Sequence, residues 1–260
     1  MKNINIDICG KEKCNLSCRF CYQDLEGKLS CDDVLQIVES NPSFERVEIG
    51  GGEPFMHEEI VKITKELAKK GKLVHISTNG TLIPDGFLKL EDKLKEKVQI
   101  QVSLHASNPV LYQKVTGKEL FYTVKDKIQT LKEHYFVTLS STIYNDNFSD
   151  VENIVRLAMQ LRTPIRVNLA MPIGKGKDVE LLDSKQIDQL TGYLLQERIA
   201  KGSLVESPLI HKNKCYALQA GYGIKKKELC PADVGTKKYV SPKGEIYACE
   251  FLGGRKKCHQ

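Results

Sequence analysis

Hydrophobic periodicity constrains the fold of this chain more than any other feature. Over about the first 200 of its 260 residues, short runs of alternating apolar residues are followed by longer runs at helical spacing. The short runs predict strands at residues 3–9, 47–49, 73–77, 98–104, 136–143 and 165–171. The longer runs predict a helix that begins at Ser30 and helices over residues 57–70, 87–97, 121–134, 150–161 and 184–201.

Strands that alternate with helices pair in parallel through right-handed crossovers. Eight such units close a TIM barrel, so six units predict an α/β fold, a partial (β/α)6 TIM-like barrel. A doubly wound sheet has the same local pattern and stays open as an alternative. After about residue 203 the helical periodicity fades while glycine, lysine and cysteine increase. We therefore expect two domains, a partial barrel over residues 1–203 and a small, loop-rich, cysteine-containing extension over residues 204–260.

Composition narrows the cellular context. The net charge of +6, from 39 basic and 33 acidic residues, is too small to predict a nucleic-acid partner. No run approaches the roughly 20 apolar residues that a membrane span needs, and no secretory signal is visible, so we expect no membrane partner and a cytoplasmic location. Nine cysteines in such a chain favour metal or cluster ligation over disulfides.

Three cysteines form the sharpest motif. Cys14, Cys18 and Cys21 lie in the loop after the first predicted strand, at the spacing C-x3-C-x2-C. Three close thiolates can hold three corners of a [4Fe–4S] cluster, which leaves the fourth iron open to another ligand. Structural zinc is one alternative, but a closed zinc site needs four ligands, usually in two pairs, and this motif supplies three. Inert core cysteines are the other alternative, but three cysteines in one polar loop do not fit core packing.

This loop, with Phe20 at the aromatic position, resembles the C-x3-C-x-aromatic-C signature of the radical S-adenosylmethionine (SAM) superfamily. The resemblance implies that Cys14, Cys18 and Cys21 bind the cluster and that Phe20 lies near the adenine of SAM. It also implies that an electron from the cluster cleaves SAM to methionine and a 5′-deoxyadenosyl radical, which abstracts a hydrogen atom from the substrate. The electron would come from a flavodoxin-like or ferredoxin-like donor.

Further candidate residues lie at the carboxyl ends of the predicted strands, the edge that holds the active site in parallel β/α folds. The segment at residues 51–54 resembles the GGE motif of the superfamily, whose backbone meets the amino group of SAM, and its glycines allow close backbone approach. His105 stands where relatives often have aspartate, and a ligand contact and a simple strand-end histidine are equally good interpretations. The candidate cofactor-binding residues are Phe20, Gly51, Gly52, Glu53, Pro54, Thr78, Asn79, Ser103, His105, Ser141, Asn168 and Met171.

The extension carries a second cysteine pattern. Cys230, Gly244 and Cys249 have the spacing C-x13-G-x4-C, which resembles the opening of the SPASM domain, an auxiliary-cluster module of peptide-modifying radical enzymes. The later cysteine run of that domain is missing, so a shorter twitch-like module or a truncated domain is expected, with a β-hairpin around residues 242–244. Together with Cys215 and Cys258 these cysteines supply four thiolates for a second [4Fe–4S] cluster, with zinc and free thiols as alternatives.

Two cysteines and the function remain. Cys9 ends an apolar strand and Cys31 begins a helix, so both are expected to be small buried hydrophobes. The main functional hypothesis is a radical SAM enzyme that modifies a peptide or protein side chain. The alternative is a radical SAM enzyme that acts on a small molecule, in a dehydrogenation or in cofactor biosynthesis. A zinc-binding or iron–sulfur-binding module without enzyme activity is the third hypothesis. No catalytic residue is assigned from the sequence.

Overall fold

A computed structural model describes residues 1–209 and 235–249 of the chain. In chain order its strands are β1 (Asn3–Cys9), β2 (Arg46–Gly51), β3 (Leu73–Thr78), β4 (Val98–Ser103), β5 (Phe136–Ile143), β6 (Ile165–Leu169), β7 (Val205–Glu206), β8 (Lys237–Val240) and β9 (Ile246–Tyr247). They form one sheet in the order β7-β6-β5-β4-β3-β2-β1-β8-β9. Neighbouring strands are parallel except for the antiparallel pair β8 and β9. The six predicted strands thus follow one another across the sheet in chain order.

Helices connect these strands as the sequence predicts. They are α1 (Cys31–Glu39), α2 (Ile60–Lys69), α3 (Asp92–Lys95), α4 (Pro109–Thr116), α5 (Phe121–Lys132), α6 (Asn145–Phe148), α7 (Val151–Gln160) and α8 (Ser184–Lys201). Ser30 caps α1 in a capping box with Asp33, which confirms the predicted start of that helix.

Three helical regions differ from the prediction, and the shortest is α6, a four-residue helix that the sequence analysis did not predict. The helix predicted over residues 87–97 is broken into a 3-10 turn, Phe87–Lys89, and α3, because Leu90 and Glu91 adopt extended backbone angles between them. Helix α4 was not predicted. Its sequence signals are local: the side chain of Asn108 accepts a hydrogen bond from the Leu111 backbone, proline follows at the first helical position, and Gly117 ends the helix at φ 78°.

The two faces of the sheet differ in polarity. The helix face carries buried apolar side chains such as Ile4, Ile6 and Ile8, which pack with the helices into one core. The opposite face, called the inner face below, carries Asn3, Asn5, Asp7, Arg46, Glu48, His75, Ser77, Gln99, Gln101, Ser103, Thr138, Ser140, Thr142, Arg166 and Asn168, most of them half-exposed. A doubly wound sheet has helices on both faces and apolar side chains on both, so this alternation confirms the partial barrel.

The extension continues the same sheet. Strand β7 pairs with β6, and β8 pairs in parallel with β1 on the other side. The hairpin predicted around residues 242–244 is confirmed, with Tyr239 opposite Tyr247. The division at residue 203 stays a prediction, since strands from both sides of it share one sheet. In the part of the chain described here, no helix is long and apolar enough to cross a membrane.

Candidate functional site

The cysteine loop joins β1 to α1 at the carboxyl edge of the sheet. Its backbone is bonded to the end of α4, through Ser17 N–H to the carbonyl of Thr116 (2.9 Å) and Arg19 N–H to the carbonyl of Val115 (3.0 Å). None of its three cysteines is in a disulfide, and each is partly buried. The loop is therefore held by a helix that the sequence analysis had missed.

Burial and the charge of neighbouring cysteines both raise the pKa of Cys14 and of Cys18. Burial is the first cause that raises the pKa of Cys18 to about 12, and negative charge on Cys21 and Cys14 contributes to that rise. Burial is also the first cause of the raised pKa of Cys14 and of Cys21. Thiols in such a setting stay protonated until a metal takes the place of the proton.

This donor set fits a [4Fe–4S] cluster. Three thiols from one loop supply three ligands, and cysteine thiolates are the usual ligands of such clusters. Among the residues that the structure describes, no three His, Cys, Asp or Glu side chains surround a point where a single metal ion could sit. A four-iron cluster is larger than one ion, so cysteines that hold its corners stand further apart than the ligands of one zinc ion.

The glycines of the predicted GGE segment pack against the start of the cysteine loop. A Cβ atom on Gly51, which has φ +123°, would lie 2.1 Å from the carbonyl oxygen of Cys9. A Cβ atom on Gly52 would lie 2.1 Å from that of Gly10. The sequence analysis ascribed these glycines to close approach by a ligand, whereas in the structure they permit close approach by the chain itself.

Glu53 braces three segments of the edge. Its carboxylate, only 1% exposed, accepts hydrogen bonds from the Thr78 hydroxyl (2.6 Å), the Asn79 backbone (2.6 Å) and the Phe55 backbone (2.9 Å). Burial raises its pKa to about 7, against the lowering effect of these three donors. Pro54 begins the 3-10 turn Pro54–Met56 directly after it. Both carboxylate oxygens of Glu53 are thus hydrogen-bonded within the protein, and Glu53 acts as a positioning residue.

Asn79 connects this brace to the cysteine loop. Its side-chain amide donates to the oxygen of Asn15 at 2.8 Å and lies 4.0 Å from the sulfur of Cys14. Its own oxygen accepts from the backbone and hydroxyl of Thr81, and Thr81 in turn accepts from Asn15 at 2.8 Å. The sequence analysis missed Asn15 and Thr81. The only sequence feature that points to them is their position, since Asn15 follows Cys14 and Thr81 follows the Asn79–Gly80 turn.

Phe20 lies in a small aromatic cluster. It is buried, with its ring centroid 4.6 Å from that of His105 and 5.7 Å from that of Tyr144. His105 accepts a hydrogen bond at Nδ1 from the Thr142 backbone (3.1 Å), and burial lowers its pKa to about 4, so the ring is neutral at pH 7. These contacts give His105 a clear structural role at the strand end.

The remaining predicted residues divide between the two faces. Ser103 and Asn168 lie on the inner face, and Asn168 donates to the Ser140 hydroxyl at 3.0 Å. Ser141 lies instead on the helix face, fully buried, and its hydroxyl has no hydrogen-bond partner in the described parts of the chain. Strand alternation explains the difference, because Ser140 and Ser141 point to opposite sides. Met171 is buried just after β6.

Lys175 touches the cysteine loop from the far end of the sheet. Its backbone N–H donates to the carbonyl of Cys21 (2.9 Å), and its ammonium group donates to the Ser17 hydroxyl (2.9 Å). The flanking glycines make this approach feasible: Cβ atoms there would lie 2.7 Å from the Cys21 carbonyl oxygen and 2.0 Å from that of Met171. The sequence analysis did not predict Lys175 as a site residue.

Only one of the four predicted tail ligands can be located. Cys249 is buried near the hairpin, while Cys215, Cys230 and Cys258 lie outside the described residues. Cys9 and Cys31 are fully buried in the core, as predicted.

Sequence comparison gives a family and several relatives. The profile of the Radical SAM superfamily matches residues 11–158, more than half of the chain. A GTP 3',8-cyclase of Clostridium acetobutylicum is 30% identical over 191 residues, covering 67% of this chain and 59% of the cyclase. The tungsten-containing aldehyde ferredoxin oxidoreductase cofactor-modifying protein of Pyrococcus furiosus is 23% identical, covering 99% of this chain and 75% of that protein. The chain thus spans about three fifths of the length of the cyclase.

Solved structures share the fold. Streptococcus suis SuiB bound to S-adenosylmethionine superposes with a TM-score of 0.78 at 16% identity, over 98% of this chain and 61% of SuiB. Native anSMEcpe with bound AdoMet superposes with a TM-score of 0.70 at 17% identity, over 96% of this chain and 74% of that one. The chain belongs to the radical SAM superfamily of enzymes, as the profile match over residues 11–158, the cysteine loop and the partial barrel together show.

Proposed function

We propose that this chain cleaves SAM reductively at the cysteine loop and uses the resulting radical to modify a peptide or protein side chain. Cys14, Cys18 and Cys21 would bind three irons of a [4Fe–4S] cluster. When bound, the cluster supplies the electron that splits SAM into methionine and a 5′-deoxyadenosyl radical. The single observation that carries this proposal is the group of three free, partly buried thiols on one short loop anchored at the carboxyl edge of the sheet.

The residues around the loop would orient the cofactor. Glu53 and Asn79 hold the two neighbouring strand ends against the cysteine loop, so the edge keeps one shape. Phe20 would contact the adenine, and Ser103 would contact the ribose from the inner face. The segments 51–54 and 78–79, with Asn168 and Met171, would complete the SAM site, and His105 would support Phe20 from behind. Ser141 would act only through its backbone, because its side chain points to the helices.

Reconstitution tests the cofactor assignment. The full chain is loaded anaerobically with iron and sulfide, reduced, and assayed for 5′-deoxyadenosine by mass spectrometry. Wild type should form it, and the triple variant Cys14→Ala, Cys18→Ala, Cys21→Ala should not. The matched control is Cys31→Ala, a buried cysteine of the helix core that should keep SAM cleavage. A colourless wild-type protein that binds zinc and cleaves no SAM would establish the third hypothesis, a metal-binding module.

A peptide substrate is supported by the fold and by the tail. SuiB bound to its precursor peptide SuiA superposes on this chain with a TM-score of 0.77, and anSMEcpe with the Cp18Cys peptide does so with 0.68. The described hairpin of the extension carries Cys249 and adds β8 to the same sheet. A peptide substrate should raise the rate of 5′-deoxyadenosine formation, and its own mass should change when it is modified. Stimulation by metabolites and by no peptide would contradict this substrate class.

A small-molecule substrate is the second candidate. It is favoured by the two curated relatives, a GTP 3',8-cyclase at 30% identity and a cofactor-modifying protein at 23% identity. The same assay with nucleotides in place of peptides separates the two classes. Turnover of a nucleotide, with consumption of one SAM per product, would establish the second candidate.

The extension, residues 204–260, would hold a second [4Fe–4S] cluster through Cys215, Cys230, Cys249 and Cys258. Iron analysis tests this part alone. The wild type should contain about eight irons, and the Cys14, Cys18 and Cys21 triple variant about four. Four irons in wild type and none in the variant would reject the second cluster. A flavodoxin-like or ferredoxin-like electron donor is proposed as the partner, and its test is SAM cleavage without a chemical reductant.

A further inference from the structure

The second half of the cysteine loop, residues 22–28, is called the return segment here because it runs back along β1. Lys28 at its end forms an antiparallel bridge with Cys9. The segment also meets the tail hairpin, which consists of β8, β9 and their turn. A Cβ atom on Gly27, which has φ +131°, would lie 2.7 Å from the carbonyl oxygen of Pro242 in that turn. The return segment is therefore held between β1 and the tail hairpin.

One buried carboxylate joins these three parts of the chain. The Oδ2 atom of Asp7 on β1 accepts hydrogen bonds from the side-chain amide of Gln23, in the return segment, and from the Tyr239 hydroxyl at 2.8 Å, on β8. All three side chains are buried. The other oxygen, Oδ1, faces Gly50, where a Cβ atom would lie 2.8 Å away. Breaking either bond would leave a polar group unpaired away from water, so the junction is stiff.

Gln23 carries this connection to Cys21. Its side-chain oxygen accepts from the Leu25 backbone N–H at 3.0 Å, so its amide nitrogen is the atom that faces Asp7. Its backbone carbonyl oxygen lies 3.8 Å from the sulfur of Cys21, which can donate to it. Both the side chain and the backbone of Gln23 are thus engaged. The position of Cys21 depends on Gln23, and that of Gln23 depends on Asp7.

We propose that Asp7 is a positioning residue for the cluster, because it couples the placement of Cys21 to the tail hairpin. This inference rests on the proposed function, in which Cys21 binds one iron of the cluster. The coupling runs through contiguous hydrogen bonds and ring contacts, the kind of network that carries energy between sites. It is also reciprocal, so iron bound at Cys21 stiffens the hairpin as much as the hairpin stiffens Cys21.

The hairpin end of the network lies close to a tail cysteine. The rings of Tyr239 and Tyr247 are stacked, with centroids 6.2 Å apart. Tyr247 lies two residues before Cys249, which is buried. A change in the chain at Cys249 is therefore transmitted to Cys21 through the stacked rings and the shared carboxylate.

Thiol alkylation tests the coupling without iron or SAM. The full chain is purified anaerobically without metal and treated with iodoacetamide, and the modified cysteines are quantified by mass spectrometry after trypsin digestion. Cleavage after Arg19 places Cys14 and Cys21 in different peptides. Tyr239→Phe should make Cys21 react about fivefold faster, the factor expected for one lost buried hydrogen bond. Cys14 should keep its wild-type rate, because Asn79 contacts it instead.

The matched control is Tyr247→Phe, the same substitution in the same hairpin. It loses an exposed hydrogen bond to Glu245 and should leave the alkylation rate of Cys21 unchanged. Neither substitution changes a charge, so a difference in rate reports access to the thiol.

A double variant separates coupling from general loosening of the fold. Gln23→Leu detaches the return segment from Asp7 and should itself speed alkylation of Cys21 several-fold. Adding Tyr239→Phe should give no further increase, because the hairpin then acts on a carboxylate that no longer holds the loop. General loosening would instead multiply the two effects.

The loaded enzyme gives a second readout. Asp7→Asn keeps an oxygen for both donors but removes the negative charge near Cys21. The electron paramagnetic resonance signal that changes when SAM is added should therefore persist, and its reduction potential should shift upward.

The proposal is overturned if Tyr239→Phe leaves alkylation of Cys21 unchanged, speeds that of Cys14 equally, or keeps its effect in the Gln23→Leu background. An unchanged potential in Asp7→Asn would also overturn it. If Gln23→Leu does not fold, the ratio of Cys21 to Cys14 alkylation in Tyr239→Phe decides alone. Alkylation needs neither cluster nor SAM, so its result is independent of whether the chain cleaves SAM.

Discussion

The carboxyl edge and the inner face are both polar, but they use their polar groups differently. At the edge, the oxygens of Glu53 and Asn79 are satisfied by neighbouring backbone and side-chain donors, and the carboxylate is buried. On the inner face, most polar side chains are half-exposed, and shielded atoms of Arg46 and His75 lack partners among the described residues. Paired groups build a fixed frame, whereas half-exposed polar side chains keep part of their contact with water.

The largest effect is expected where the edge is braced. Glu53→Ala leaves three donors without an acceptor and should lower the free energy of unfolding by about 3 kcal/mol or more. Because the brace holds the strand ends beside Cys14, iron loading should fall as well. Urea unfolding and iron analysis of the anaerobic protein measure both. Gln99→Ala on the inner face is the control, at under about 1 kcal/mol. Equal losses in the two variants would contradict the contrast between the regions.

The inner face should make the stability of the fold depend on pH through His75. The pKa of His75 is lowered to about 3 in the folded chain, against about 6.5 when unfolded. The folded state therefore binds fewer protons, and stability is full above about pH 6.5 and lost as the pH falls toward 3. Between pH 6.5 and 4.5 we expect the free energy of unfolding to fall by about 1–2 kcal/mol. This is less than the full linkage effect, because the ring keeps some contact with water.

Unfolding titrations at several pH values test this expectation. His75→Gln should flatten the profile, whereas His134→Gln, an exposed histidine after α5, should keep the wild-type slope. A profile that His75→Gln leaves unchanged would mean that the ring is well solvated.

A smaller effect is expected where the tail hairpin meets β1. The Tyr239 hydroxyl donates to the buried carboxylate of Asp7 at 2.8 Å, and Gln23, two residues after Cys21, donates to the same carboxylate. Tyr239→Phe removes one of these donors and should cost about 1 kcal/mol. Tyr247→Phe, which loses only an exposed bond to Glu245, is the control. The two variants are compared by urea unfolding, and equal stabilities would show that the Tyr239 bond contributes nothing.

The smallest effect is electrostatic. Lys175→Gln removes a positive charge beside the cysteine loop and should lower the reduction potential of the reconstituted cluster, because a positive charge favours the added electron. We expect a change on the order of tens of millivolts, since the lysine is exposed. Redox titration followed by electron paramagnetic resonance measures it, with Lys177→Gln of the same loop as control. An identical potential in both variants would contradict the assigned role of Lys175.

Local patterns in the sequence were enough to predict most of the frame. Alternation defined β5 to the residue, the capping box located the start of α1, and the cysteine spacing identified the loop that carries the family resemblance. What failed depends on contacts between distant segments. Lys175 reaches Cys21 only in the folded sheet. Ser141 is a different case, because it alternates with Leu139 and Ile143, so the strand pattern alone places its side chain on the helix face.

The parallel pairing of β8 with β1 has a consequence for synthesis. Strand β1 ends at Cys9 and gains this neighbour only after β8, which ends at Val240, has been made. Until then one edge of β1 presents unpaired backbone groups, which can recruit strands of other nascent chains. Late closure of such a distant pair also slows folding. Substitutions in β8 should therefore change the yield of soluble protein and its dependence on chaperones, although this strand takes no part in the cysteine loop.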